Sequence, residues 1–222
     1  MIDMKIQLSG RLSAAAAMVR QGSVLADIGS DHAYLACALV LDGVCPRAYA
    51  CDINEKPLYS TRDTISKYGL SDRVEVLLSD GLCALFGIHI DDIVIAGMGG
   101  ELIARIIGDA PWVKRPDIRF ILQPMTKAEY LREWLYSNGF EIEQEAAAAD
   151  NRFIYTVMRV KYTGEVQKIP ILFAWTGKIW DNTDEASKCC LRRIYDKVVR
   201  IANAAGDEEY IRLARMMEEK IK

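Results

Sequence analysis

Residues 24–33 read Val-Leu-Ala-Asp-Ile-Gly-Ser-Asp-His-Ala. An apolar run that breaks at an acid and a glycine is how a buried parallel strand hands over to a ligand-binding turn. Gly29 has no Cβ, so backbone can approach a ligand there, and Asp27 at the strand end can accept hydrogen bonds from a ligand or from neighbouring amides. Taken alone, the stretch predicts a strand-turn-helix unit that holds a nucleotide-like cofactor.

Outward from it, short apolar runs alternate with helix-like segments as far as Val160. Strands are expected at 24–28, 48–52, 74–78, 93–96, 118–122, 141–145 and 153–160. Five strand-helix steps, then two strands joined only by 146–152, predict an α/β fold: a Rossmann-like, seven-stranded methyltransferase-type sheet, mostly parallel, with an antiparallel C-terminal hairpin. Ahead of it, Leu8, Leu12, Ala15, Ala16 and Val19 recur at helical spacing, so a leading helix is expected on the sheet or over the cofactor mouth. Beyond Val160, Tyr162-Thr163-Gly164 reads as a linker, 169–180 is apolar with aromatic residues, and 184–204 and 207–221 read as two helices parted near Gly206. The expected division is a cofactor-binding domain over 1–161 and a small helical domain over 162–222.

Of the 222 residues, 51% are hydrophobic, which supports a substantial core and excludes a disordered or fibrous chain. The net charge of −3 excludes a globally basic nucleic-acid binder, so a polyanion must meet a local patch. Cys37, Cys45, Cys51, Cys83, Cys189 and Cys190 form no Cys-x-x-Cys pair, and His32 and His89 complete no ligand cluster, so no metal is expected. The first 22 residues lack a signal-peptide core and no apolar run is long enough to span a bilayer. A reducing, cytoplasmic setting is expected.

The strand ends carry the chemistry. Asp52 ends the second strand, where a carboxylate can accept from both hydroxyls of a ribose; the alternative is a surface residue capping the helix that starts near Glu55. Ser79-Asp80-Gly81 ends the third, and an acid there can accept an adenine amino group, although the triplet is also an ordinary turn signal. The fourth ends in Ala96-Gly97-Met98-Gly99-Gly100, which lets main chain approach a ligand. The fifth ends in Gln123-Pro124-Met125, an amide beside a rigid wall, suited to a planar base. Five consecutive ends of this kind predict a cleft at the switch point of the sheet.

A dinucleotide fingerprint needs Gly-x-Gly-x-x-Gly, but the corresponding positions hold Gly29, Asp31 and Tyr34. Asp31 would repel a pyrophosphate and attract the sulfonium and ammonium groups of S-adenosylmethionine. Charge at this position therefore favours a methyl donor.

Together, Ala26-Asp27-Ile28-Gly29-Ser30-Asp31-His32-Ala33-Tyr34-Leu35, then Ala96-Gly97-Met98-Gly99-Gly100, then Leu122-Gln123-Pro124-Met125 with Leu131-Arg132 and Trp134-Leu135, resemble the bacterial tRNA (adenine-22-N1)-methyltransferase family. The resemblance runs from residue 5 to 160; after Ile169 it is one of length and helical character. It implies a class I S-adenosylmethionine-dependent methyltransferase domain, a helical, coiled-coil-like domain that helps hold tRNA, and methylation of adenine N1 in the D-arm region. It further implies that Asp27, Gly29, Ser30, Asp31, Asp52, Ile53, Asp80, Gly81, Ala96, Gly97 and Met98 contact the cofactor. Met98, Gly99 and Pro124 would face the target base, and His32, Asp31 and Gln123 would carry catalytic roles, with His32 either bonding the base or capping the helix that follows.

Lys188, Arg192 and Arg200, with Arg193 and Lys197 beside them, follow near-helical spacing and form a candidate phosphate-binding stripe, the alternative being a solvated helix face. Lys114, Arg115 and Arg119 could extend it. The expected partner is tRNA, with no membrane or metal, and the expected state is a monomer. Two other functions fit the same residues: a methyltransferase acting on a small molecule or protein, and a non-catalytic RNA-binding module that keeps the cofactor fold.

Overall fold

In the computed structural model, which describes residues 5–221, the chain opens with a short helix α1 (Gly10–Ala16) and then alternates strand with helix. The series is β1 (Val24–Ile28), α2 (Tyr34–Leu41), β2 (Arg47–Asp52), α3 (Glu55–Lys67), β3 (Val74–Leu78), β4 (Asp92–Gly99), α4 (Gly100–Gly108), β5 (Arg119–Thr126) and α5 (Ala128–Ser137). Then come β6 (Phe140–Asp150), β7 (Phe153–Tyr162), α6 (Ile171–Thr176), α7 (Glu185–Ala205) and α8 (Glu208–Ile221). The strands form one seven-stranded sheet in the order β3-β2-β1-β4-β5-β7-β6. β1 to β5 pair in parallel, and β7 runs antiparallel to both β5 and β6. Strand order reverses between β1 and β4, which opens a crevice at their carboxyl ends.

Because successive strand residues point to opposite faces, each apolar run feeds two layers. Ile93, Ile95, Phe120 and Leu122 pack with Ile103 and Ile107 of α4 and Leu131 and Leu135 of α5. Leu25, Val94 and Ile121 pack on the other side with Ala15, Met18 and the buried residues of α2. A sheet covered on both faces explains why these strands are nearly continuous apolar runs.

Several boundaries differ from the expected ones. β4 runs on through Gly99 and β5 through Thr126, because ladder bonding continues past irregularities at Ala96/Met98 and Met98/Gly99 where no apolar side chain signals it. The β6–β7 link is only Asn151 and Arg152, since Ala146 to Ala149 stay paired with Val157 to Ile154; alanine carries a weak strand signal. Between β3 and β4 the expected helix is a single 3₁₀ turn, Cys83–Leu85. α1 is shorter than its periodicity, with Leu8 and Val19 packing against the same layer from outside it.

The C-terminal helices build small apolar clusters of their own, one around Trp175, Val198, Leu213 and Met217. They are fastened to the sheet by a buried ion pair. Arg132 Nη2 lies 2.9 Å from Glu145 Oε1, with the two side chains 1% and 0% exposed. Arg132 Nη1 donates to the carbonyls of Ala174 and Trp175 at 2.8 and 3.1 Å, and Glu145 Oε2 accepts from the Lys178 N–H at 2.7 Å. A buried pair is tolerated when its remaining polar capacity is met in this way. Gly177 permits it: its φ is +55°, and a Cβ there would collide with Glu145 Oε2. Among the described residues no helix is long and apolar enough to cross a membrane.

Candidate active site

A cavity of about 360 Å³ opens at the carboxyl ends of β1 to β4, within the usual size range of small-molecule sites. It brings together Gly29, Asp52, Ile53, Asp80, Gly81, Ala96, Gly97 and Met98. Asp27, Ser30, Asp31 and His32 line an adjoining hollow with Arg11, and it shares Gly29 and Ala96 with the first. The β1 turn is held in place by the N–H groups of Gly29 and Ser30, which both donate to the Cys51 carbonyl at 2.8 and 3.0 Å. Gly29 has a φ of +75°, and a Cβ would stand 2.3 Å from Met98 Cε, so only bare backbone lets Met98 lie across the turn.

Asp27 is 6% exposed and accepts from Ser30 Oγ at 2.7 Å. Burial pushes its carboxyl up to about 6, against the opposing effects of the Ser30 hydrogen bond, a backbone hydrogen bond at Ala36 and the Arg11 charge. Asp31 is exposed, 3.7 Å from His32 Nε2. His32 stacks obliquely near Tyr34, 5.4 Å between ring centres. It does not cap α2: the N-cap is Ala33, in the left-handed region, with no side-chain bond. Asp52 likewise does not cap α3, whose N-cap is Asn54; its Oδ1 accepts the Asn54 N–H at 2.8 Å and shapes the turn beside the cavity. Ser79 donates to the Gly81 carbonyl and accepts from the Ala84 N–H, which fixes the turn carrying the exposed Asp80.

Gln123 departs from expectation. It is 0% exposed, its Oε1 accepts from the Gly97 N–H at 3.0 Å and from Arg11 Nη1 at 3.2 Å, and its Nε2 donates to the Pro124 carbonyl at 3.1 Å. With its amide committed inside the protein, Gln123 positions the Gly97 turn and presents nothing to a base. Arg11, not anticipated as a site residue, completes this network and also pairs with Asp150 at 3.5 Å. Its one sequence signal is that it is the only charge among residues 8–19. Neither Pro124 nor Gly99 lines the cavity; Pro124 lines a neighbouring cleft, and in the β4–β5 register Met98 stands opposite Pro124 and Gly99 opposite Thr126.

The basic stripe divides. Arg193 and Lys197 line a cleft with Pro124, Thr126 and Lys127. Lys188 and Arg192 line a separate groove with Asn182 and Lys220, and Lys188 pairs with Glu185 at 2.7 Å. Each pair is four residues apart and so shares one helix face, but the two faces differ. Lys188 and Arg192 are therefore not gathered with Met98, Gly99 and Pro124. Arg200 donates to the Asp196 carbonyl of its own helix. Arg119 begins β5, at the amino ends of the parallel strands and so at the far end from the cavity, and Arg115 pairs with Asp117, so neither extends the cleft. The six cysteines are free thiols, and among the described residues no group of three or more His, Cys, Asp or Glu could hold a metal ion.

A sheet of this order with an antiparallel final pair, a glycine turn after β1 and acids at the ends of β2 and β3 defines a class I methyltransferase. The methyltransferase-domain family matches residues 8–158. The Bacillus subtilis tRNA (adenine(22)-N(1))-methyltransferase is 38% identical over 154 residues, which span 69% of this chain and 65% of that relative, just under two thirds of its length. The solved structure of the B. subtilis m1A22 tRNA methyltransferase TrmK is similar with a TM-score of 0.81 at 28% identity, covering 98% of this chain and 97% of that one. M. capricolum TrmK in complex with S-adenosyl-homocysteine is similar with a TM-score of 0.78 at 27% identity, covering 96% of each chain. The chain belongs to the tRNA (adenine-22-N1)-methyltransferase family.

Proposed function

We propose that this protein transfers a methyl group from S-adenosylmethionine to N1 of an adenine in tRNA, at position 22 in the D-arm region. Residues 1–161 would hold the cofactor and 162–222 would help hold the tRNA, in a monomer working in the cytoplasm, where free thiols such as the six here persist.

The residues present fit that donor. Asp52 and Asp80 offer acceptors for ribose hydroxyls and an adenine amino group, Gly29 and Gly97 offer bare backbone, and Asp27 and Asp31 set negative charge beside the turn. When bound, S-adenosylmethionine supplies a sulfonium methyl, which the in-plane N1 lone pair of adenine can take without prior loss of a proton. The protein therefore needs no dedicated general base; its work is alignment. Gln123 and Arg11 hold the Gly97 turn still, Met98 and Pro124 wall the target base, and Asp31 faces the positive charge that develops on the ring. N1 lies on the pairing edge of adenine, so the target nucleotide must be unpaired or flipped toward Met98 and Pro124.

The observation that carries the proposal is continuity: Met98 lines the cofactor cavity and is paired in register with Pro124, which lines the cleft shared with the C-terminal helices. The test is methyl transfer to an unmodified tRNA transcript, followed by mapping of the modified base. Label at N1 of adenine 22 is expected. No incorporation by folded protein that binds S-adenosylmethionine overturns the proposal, and activity without RNA points to a small-molecule or protein acceptor.

A further inference from the structure

We propose that the tip of the β6–β7 hairpin, with the cleft beside it, seats a nucleotide flanking the target adenine, the base stacking on Phe153 and the backbone meeting Arg152, Arg193 and Lys127. The proposal rests on tRNA being the substrate.

Phe153 is 46% exposed. The guanidinium of Arg152 lies over its ring at 5.0 Å from the centroid, and the Tyr155 ring follows at 6.1 Å, tilted by 35°. A ring half open to water, with an arginine over one face, is the composition on which unstacked bases are held: any base has a π-face to stack, and the cation sits near its phosphate.

The platform is fixed in place. Arg193 Nη2 donates to the Arg152 carbonyl at 2.6 Å, tying the turn to α7. On its other side Asp150 pairs with Arg11, which reaches Gln123 and through it the Gly97 turn. The hairpin tip is thus fastened both to the helical region and to the reaction site.

The adjoining cleft, about 220 Å³, runs between the end of β5, the start of β7 and α7, with Thr126, Lys127, Tyr155, Arg193 and Lys197 on its walls. Lys197 pairs with Glu129 at 3.0 Å and covers the Trp175 ring. Lys127, Arg152 and Arg193 have no ion-pair partner among the described residues. Two uncompensated cations on the cleft walls, Lys127 and Arg193, with Arg152 at the turn tied to Arg193, match a phosphodiester backbone in a chain of net charge −3. Gly99 stands opposite Thr126, and Gly100 packs against the Lys127 backbone, so a strand whose target base lies over the Met98 and Pro124 side chains passes directly onto this cleft.

The experiment compares Phe153→Ala, Phe153→Leu, Phe153→Tyr and Arg152→Ala with the wild type in equilibrium binding of an unmodified tRNA transcript and in methylation kinetics. S-adenosylmethionine affinity and the thermal midpoint report that each variant is folded. Phe153→Ala and Phe153→Leu should each weaken tRNA binding and raise KM about ten-fold, within the range of one lost base–aromatic stack, while kcat holds and Phe153→Tyr stays near wild type. Arg152→Ala should weaken binding and make its salt dependence shallower by about one unit of slope. Wild-type binding by Phe153→Ala or Phe153→Leu overturns the seat, as does Phe153→Tyr binding as poorly as alanine. If the wild type binds tRNA without methylating it, the proposed activity falls while the binding series still judges the seat; a wild type that does not bind tRNA overturns both.

Discussion

The side-chain oxygen of Gln123 accepts the backbone N–H of Gly97 at 3.0 Å, so a fully buried amide on β5 sets the conformation of the glycine turn on β4. Gln123→Leu keeps the volume but leaves the Gly97 N–H and Arg11 without their acceptor, at a cost of about 1–3 kcal/mol. Because the freed turn borders the cofactor cavity, kcat/KM should fall by more than the loss in stability accounts for. Gln123→Glu keeps an acceptor facing both donors but turns its second oxygen toward the Pro124 carbonyl, so it should recover part of the activity, and more at low pH where the carboxyl can donate. Steady-state kinetics beside denaturant unfolding checks this; a glutamate variant as poor as leucine shows that the acceptor is not what matters.

Asp27 should link cofactor binding to pH. Its carboxyl is raised from 3.8 to about 6, so between those values the native state holds a proton that the unfolded chain has released. Stability should therefore fall as pH rises through this window, by up to about 3 kcal/mol relative to Asp27→Asn, which cannot ionise. A cationic ligand favours the ionised acid, so S-adenosylmethionine affinity should rise over the same interval. Unfolding of both proteins at pH 4 and pH 7, with calorimetry of cofactor binding, measures the two trends; parallel stability profiles would remove Asp27 as their source.

Arg132 and Glu145 meet directly at 2.9 Å and join the helical region to the sheet. Arg132→Met strands a buried carboxylate and should destabilise by about 3–5 kcal/mol, whereas replacing both residues by apolar ones should cost much less. Thermal melts followed by near-ultraviolet dichroism, which reports the packing of Trp175 beside the pair, test it. Single and double variants melting alike would show that the charges are not what fastens the two parts.

What was legible in the sequence was whatever a strand carries along itself. Asp52, Gly29 and the Gly97 turn stand at the ends of apolar runs, and a parallel sheet must gather such ends along one edge. Arg11 and Gln123 are 112 residues apart, and no periodicity in either segment announces the other. The same holds for Arg132 and Glu145, since nothing in either segment pairs one with the other. On α7, spacing shows that Lys188 and Arg192 share a face, as do Arg193 and Lys197, but burial of Leu191 and Val198 decides which face turns toward the cleft. That is a tertiary fact. The 3₁₀ turn in place of a helix between β3 and β4 follows from Gly81 and Gly87, both at positive φ, which break the segment.

Asp52→Ala separates binding from folding. Its side chain accepts one hydrogen bond, from the Asn54 N–H in an exposed turn, where water can replace it, so stability should change by less than about 0.5 kcal/mol. As an acceptor for ribose hydroxyls it should account for about a ten-fold or greater loss of S-adenosylmethionine affinity. Calorimetry with an unchanged affinity removes Asp52 from the site.

Gly29→Ala tests whether the β1 turn controls the cavity through Met98. The new Cβ is placed in a φ of +75°, which costs about 1–2 kcal/mol in backbone strain, and 2.3 Å from Met98 Cε. That methyl is the end of a flexible side chain, so it moves, and the space open to it is the cavity it already lines. Cofactor affinity should fall together with stability. Adding Met98→Ala removes the collision but not the strain, so the double variant should regain affinity while remaining as unstable as Gly29→Ala alone. If affinity is not regained, the turn's own backbone, rather than the methionine, is what the cofactor needs from Gly29.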